Sequence, residues 1–78
     1  MGRSRTREER EALAQFGARV KQRREQARLT IEQVADLANL TPRTILYLES
    51  GEREPNASTL FKLAAALGIS AIRLWEAQ

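Results

Sequence analysis

The 78-residue chain contains no cysteine and no histidine. Without cysteine there is no disulfide framework, no thiolate nucleophile and no cysteine-ligated zinc. Without histidine the usual catalytic triads and helical zinc motifs are gone as well. Enzymatic chemistry is therefore poorly supplied, and neither a cofactor nor a metal is expected. Long apolar runs are also missing: the longest, LAAALGI at 63–69, falls far short of a membrane span. The N-terminus lacks an apolar signal-peptide core, so a cytoplasmic protein without a membrane partner is the expectation. Proline is absent from the first 41 residues, and nothing after the N-terminal arm shows strand-like alternation.

What is present is an apolar fraction of 42%, enough for one modest core and one small domain. The net charge is only +3, but its distribution is uneven. Residues 1–28 carry nine basic side chains against four acidic ones, whereas the remaining fifty carry four against six. An arginine-rich start implies a polyanionic partner, because neutralising phosphates and releasing their counterions drives nucleic-acid binding.

The chain reads as a series of helix starts and stops. Thr6 and Glu9 form a capping box. Leu13, Phe16, Val20 and Ala27 then recur at helical spacing, giving one long helix over about 7–27 with a narrow core stripe. Leu29 breaks that rhythm and Thr30 caps a second helix, in which Val34, Ala35 and Ala38 share a face. Asn39 tolerates a left-handed conformation, Leu40 is apolar, and Thr41 with Pro42 starts a third helix at once. Two helices joined by such a bend make a helix-turn-helix. The third helix runs to about Ser50, with Gly51 as its stop. Ser58 is the expected cap of a fourth helix, with Leu60, Leu63, Ala64 and Leu67 inward and Gly68 at its end. Ser70 caps a last helix over 71–78. The expected fold is all-α, a compact five-helix domain over 7–78 preceded by a basic, flexible arm at 1–6.

Residues 17–75 resemble the lambda-repressor and Cro superfamily of helix-turn-helix proteins, the XRE family. The resemblance rests on Gly17, Arg19, Val20 and Arg24, on LTIEQVADLANLTPRTILYLESG at 29–51, and on EREP at 52–55 with LFKLAAALGIS at 60–70. It implies a five-helix lambda-repressor-like fold whose third helix enters the DNA major groove. It also implies a structural clamp between Arg24 on the first helix and Glu49 near the end of the third. Ile31 stands where the family often has a phosphate-binding glutamine, which leaves the hydroxyl of Thr30 and free N–H groups at that helix start for the role. Arg28 and Asn39 stand where glycines are common; a left-handed Arg28 costs on the order of 1 kcal/mol but adds a cation.

On the third helix, positions 42, 43, 46, 47 and 50 share an arc of about 140°, with Ile45 and Leu48 opposite. Arg43 is the first candidate to read a guanine through paired hydrogen bonds to O6 and N7. Thr44 serves either as a local backbone partner or as a DNA contact, and Pro42 either as a helix starter alone or also against a base edge. Leu46 suits a thymine methyl, and Tyr47 a phosphate or ring contact. Backbone anchoring falls to Thr30, Ser50, Arg53, Asn56 and Arg28, with Arg3, Arg5 and Arg7 trailing along a groove. Ile72 and Trp75 on the last helix are the candidate homodimer contact. The resemblance thus implies a homodimeric, sequence-specific regulator of double-stranded DNA, a repressor or controller-type protein on a two-half-site operator. RNA polymerase or a cognate toxin are further candidate partners. With almost the whole chain in this fold, regulation through protein concentration and dimer equilibrium is expected rather than through a sensor domain. A second class is an antitoxin or adaptor whose protein partner is held by Ile31, Leu46, Tyr47 or the last helix.

Overall fold

A computed structural model describes residues 4–76. They form α1 (Arg7–Gln26), α2 (Ile31–Ala38), α3 (Pro42–Glu49), α4 (Ala57–Leu67) and α5 (Ala71–Trp75), with no strand among the described residues. The all-α expectation holds, and most boundaries follow from local capping. Thr6 Oγ1 accepts from the Glu9 N–H at 3.0 Å while Glu9 Oε1 accepts from the Thr6 N–H at 2.7 Å. Thr30 and Gln33 repeat the same box at α2, at 3.0 and 2.8 Å. Thr41 caps α3 with Pro42 at its first turn, and Ser70 caps α5. Each cap satisfies N–H groups that a helix start otherwise leaves without partners.

Three expectations need correction. Ala27 is not part of the core stripe: α1 ends at Gln26, and Ala27 is its exposed C-cap. The cap of α4 is Asn56, whose Oδ1 accepts from the Thr59 N–H at 2.8 Å, while Ser58 lies inside the first turn. Asn56 stands three residues before the receiving N–H, whereas Ser58 comes two residues too late to cap it. Finally, α5 ends at Trp75 rather than running on; Glu76 is extended, and the continuation expected at 77 and 78 lies outside the described residues. Arg7, grouped with the arm by its charge, is the first residue of α1.

The core gathers one or two apolar side chains from each helix: Phe16 and Val20, Val34 and Ala35, Ile45 and Leu48, Leu63 and Ala64, and Leu74. Leu29, Leu40, Leu60, Leu67 and Ile69 pack around it. Helix α3 is held between α1 and α2, and α5 closes the far side against α4 and α1. Tight left-handed bends make this packing possible. Asn39 has φ 57°, and the following Leu40 N–H donates to the Ala35 carbonyl at 2.8 Å, so α3 starts across α2 after only three intervening residues. Arg28 also sits at φ 60°, the strained conformation anticipated for it.

Candidate nucleic-acid interface

Helix α3 has one face locked into the core and one face open. Ile45 and Leu48 are fully buried, whereas Pro42, Arg43, Leu46, Tyr47 and Ser50 are all exposed. Leu46 is 54% accessible and Tyr47 39%, an outlay of apolar surface that no neighbour within the fold covers. The Arg43 guanidinium has no hydrogen bond or ion pair with any described residue. Thr44 lies at the edge of this face, half-buried, and its hydroxyl is 2.9 Å from the capping hydroxyl of Thr41. The local partner of this hydroxyl is thus a side chain rather than the backbone.

The open face is held in place from behind. Arg24 Nε donates to Glu49 Oε2 at 2.7 Å, Nη2 donates to Glu49 Oε1 at 3.2 Å, and Nη1 donates to the Leu29 carbonyl at 3.0 Å. The side chains retain only 12% and 7% of their exposure, so this is a desolvated fork rather than a surface pair. Hydrogen bonding to Glu49 raises the Arg24 pKa above its ordinary value against the opposing effect of burial, with nearby carboxylates adding to the rise. The guanidinium thus ties the end of α1, the loop before α2 and the end of α3 together.

Gly17 supplies a second, steric constraint that its place in the sequence pattern did not explain. A Cβ there would lie 2.4 Å from the Glu49 carbonyl oxygen and 2.5 Å from that of Leu48. Only glycine lets α1 approach the backbone of α3 this closely. At Gly51, φ is +80°, and an added Cβ would meet the Ala14 backbone at 3.0 Å, so the exit of α3 is fitted against α1 as well.

The flanking candidates are differently placed. Thr30 Oγ1 is occupied as an acceptor by its cap, which leaves its hydroxyl proton to donate. Ser50 directs its hydroxyl at the Tyr47 carbonyl (3.1 Å) and at Glu52 Oε1 (2.8 Å), so contact with a phosphate requires that proton to be withdrawn from a carboxylate. Asn56 commits Oδ1 to its cap and keeps its amide N–H groups. Arg28 and Arg53 are exposed. In the arm, Arg5 Nη1 donates to the Glu52 carbonyl at 3.4 Å and Arg10 Nη1 donates to the Arg5 carbonyl at 2.8 Å, which lays the arm against the loop leaving α3. Arg7 instead pairs with Glu11 at 3.2 Å, and Arg3 lies outside the described residues.

The candidate dimer residues separate. Ile72 is 70% exposed, whereas the Trp75 ring lies 5.3 Å from that of Phe16 and remains 45% accessible. Three features were not found in the sequence. Leu37 and Phe61 are exposed, although each adjoins a core position in its helix. Arg19 reaches the end of α5, its Nε donating to the Leu74 carbonyl at 3.0 Å and its Nη2 to that of Trp75. The residue pattern on α1 alone carries no signal for that contact, which spans 55 positions.

A short helix clamped to α1 and joined to α2 by a left-handed Asn39 and a packed Leu40, with a cation and apolar groups on its free face, defines a helix-turn-helix DNA-binding protein. The chain belongs to the helix-turn-helix family, whose model matches residues 20–74, and it is a DNA-binding transcription regulator of the XRE type. The solved structures similar to it include three regulators. The restriction-modification controller protein C.AhdI from Aeromonas hydrophila is 32% identical, with 80% of this chain and 94% of that one covered and a TM-score of 0.78. The competence regulator ComR from Streptococcus vestibularis is 32% identical over 82% of this chain, with a TM-score of 0.77, but only 22% of ComR is covered. The clp gene regulator ClgR from C. glutamicum is 27% identical, with 85% and 82% covered and a TM-score of 0.73. No curated protein sequence matches this one. The family and these regulators point to a non-enzymatic protein. Among the described residues, no helix is long and apolar enough to cross a membrane.

Proposed function

We propose that the chain acts as a homodimeric repressor of the controller type, reading an operator of two half-sites. Two copies of α3 would occupy successive major-groove faces about one DNA turn apart. The observation that carries this reading is the unpaired Arg43 beside exposed Leu46 and Tyr47, on a helix whose opposite side is buried at Ile45 and Leu48. Arg43 would make the paired contact to a guanine, Leu46 would pack on a thymine methyl, and Tyr47 would reach a phosphate or a methyl beside it. Pro42 would approach the neighbouring base edge and Thr44 would turn outward to a phosphate or base. Thr30, Ser50, Arg53, Asn56 and Arg28 would hold the backbone, with Arg3, Arg5 and Arg7 adding charge. The similarity to C.AhdI, with 94% of that controller's length covered, supports the controller type. Ile72, with the accessible part of Trp75, would supply the two-fold contact.

Selection of bound sequences from a random duplex pool, followed by a salt series on the selected site, tests this. A palindromic site and a steep loss of affinity with salt are expected. Arg43→Ala should cost about 1–3 kcal/mol on that site and little on random duplex. A flat salt response would overturn the reading and leave a protein partner, an antitoxin's or adaptor's, for the apolar face of α3.

A further inference from the structure

Helix α1 carries arginine on two sides. One side meets α3 through Ala14, Gly17 and Arg24. At about 100° per residue, Gln15, Arg19, Gln22 and Arg23 point roughly half a turn away from it. On that far side α1 and α5 enclose an open cleft of about 370 Å³, to which α5 adds Arg73. Among the described residues, no carboxylate lines it. The volume falls within the range of small-ligand sites, about 300–1,000 Å³.

The three guanidinium groups are placed in different ways. Arg19 is fixed by the Leu74 and Trp75 carbonyls, with its guanidinium carbon 6.0 Å from the centre of the Phe16 ring. Its Nη1 has no hydrogen-bond partner among the described residues. Arg23 and Arg73 are exposed, and their guanidinium groups make no hydrogen bond or ion pair with any described residue. Three positive charges therefore share one concavity that no described residue neutralises, and the amides of Gln15 and Gln22 stand beside them. A second copy does not suit this surface, because a two-fold contact would set arginines against arginines. A duplex does not suit it either, since the concavity admits a compact group rather than a rod.

We propose that the cleft formed by Arg19, Arg23 and Arg73 is a binding site for a small ligand carrying two or more phosphate groups, separate from the DNA-reading surface. Guanidinium forks match phosphate oxygens in paired hydrogen bonds, and three of them balance a pyrophosphate-like charge better than a single phosphate. The ligand would sit where Arg19 ties down the end of α5 through the carbonyls of Leu74 and of Trp75, the chain's one tryptophan.

The full-length chain titrated with inorganic tripolyphosphate at constant ionic strength, read by Trp75 fluorescence and by calorimetry, tests the site. Saturable binding of one ligand per chain is expected. The double variant Arg23→Gln with Arg73→Gln should weaken it about tenfold or more while leaving the helical circular dichroism unchanged, since both side chains are exposed. Arg43→Ala should leave it unchanged. No saturation at millimolar tripolyphosphate, or an equal weakening by Arg43→Ala, would overturn the proposal. Displacement of tripolyphosphate by random duplex that survives Arg43→Ala would overturn it in favour of a second nucleic-acid segment. Because the cleft lies across α1 from α3, the double variant keeps its affinity for the selected operator, so failure here is distinguishable from failure of the DNA-reading proposal.

Discussion

Replacing Glu49 by leucine tests whether the Arg24 fork holds α3 or merely decorates it. The Arg24 side chain is only 12% exposed, so Glu49→Leu strands a guanidinium away from water with a single remaining acceptor, the Leu29 carbonyl. Removing one partner of such a pair costs about 3–5 kcal/mol. A chain of this length has roughly 4–12 kcal/mol in total, at about 0.05–0.15 kcal/mol per residue. The single change should therefore remove about a quarter or more of the stability and lower the melting temperature by more than about 10 °C. Arg24→Met should cost as much, because it strands the Glu49 carboxylate and leaves the Leu29 carbonyl without its side-chain donor. The double variant Arg24→Met with Glu49→Leu removes both charges and leaves only that carbonyl unsatisfied, at about 1–3 kcal/mol, so it should be more stable than either single variant. Urea unfolding followed by Trp75 fluorescence measures all four corners of the cycle. The pH dependence has a definite sign. Arg24 is raised, so its contribution is complete below the unfolded-state value and is lost only as pH climbs through the still higher folded value. Between about pH 6 and 10 this guanidinium should contribute no slope. Single variants costing under about 1 kcal/mol, or a double variant equal to their sum, would show a solvated pair and refute the argument.

Gly17→Ala drives a Cβ into the Glu49 and Leu48 carbonyls, and backbone cannot yield as a side chain can. A loss of about 1–3 kcal/mol is expected despite alanine's better helix propensity, and thermal denaturation that showed a gain would contradict the close approach. Asn56→Ala should cost about 0.5–2 kcal/mol by removing the α4 cap, while Ser58→Ala should stay close to neutral; the reverse order would restore Ser58 as the cap. Arg28→Gly relieves a left-handed side chain and should stabilise the fold by up to about 1 kcal/mol while weakening non-specific DNA binding, two effects that denaturation and a random-duplex titration separate.

The parts legible in the sequence were those governed by interactions spanning four residues or fewer. The Thr6–Glu9 box, the Thr30, Thr41 and Ser70 caps, the left-handed Asn39 and the stops at Gly51 and Gly68 all lie within a turn of the helix they define. Helical periodicity likewise separated Ile45 and Leu48 from the outward face of α3. It failed at Ala27, where the helix ended before the stripe did, and at Leu37 and Phe61, whose hydrophobicity says nothing about whether a neighbouring helix reaches them. The Arg24–Glu49 pair entered through family resemblance, not through any property of those two residues read alone.

What the sequence determined by itself was therefore five helices, their order and the open face of α3, because backbone capping and periodicity are local. Tertiary structure decided which residues meet across 25 to 55 positions: Gly17 against the α3 carbonyls, Arg24 on Glu49, and Arg19 on the end of α5. Those contacts exist only after the helices have packed, since their partners share no local hydrogen bond or periodicity. The same packing sets the arginine-lined cleft behind α1 on the side that α3 does not use.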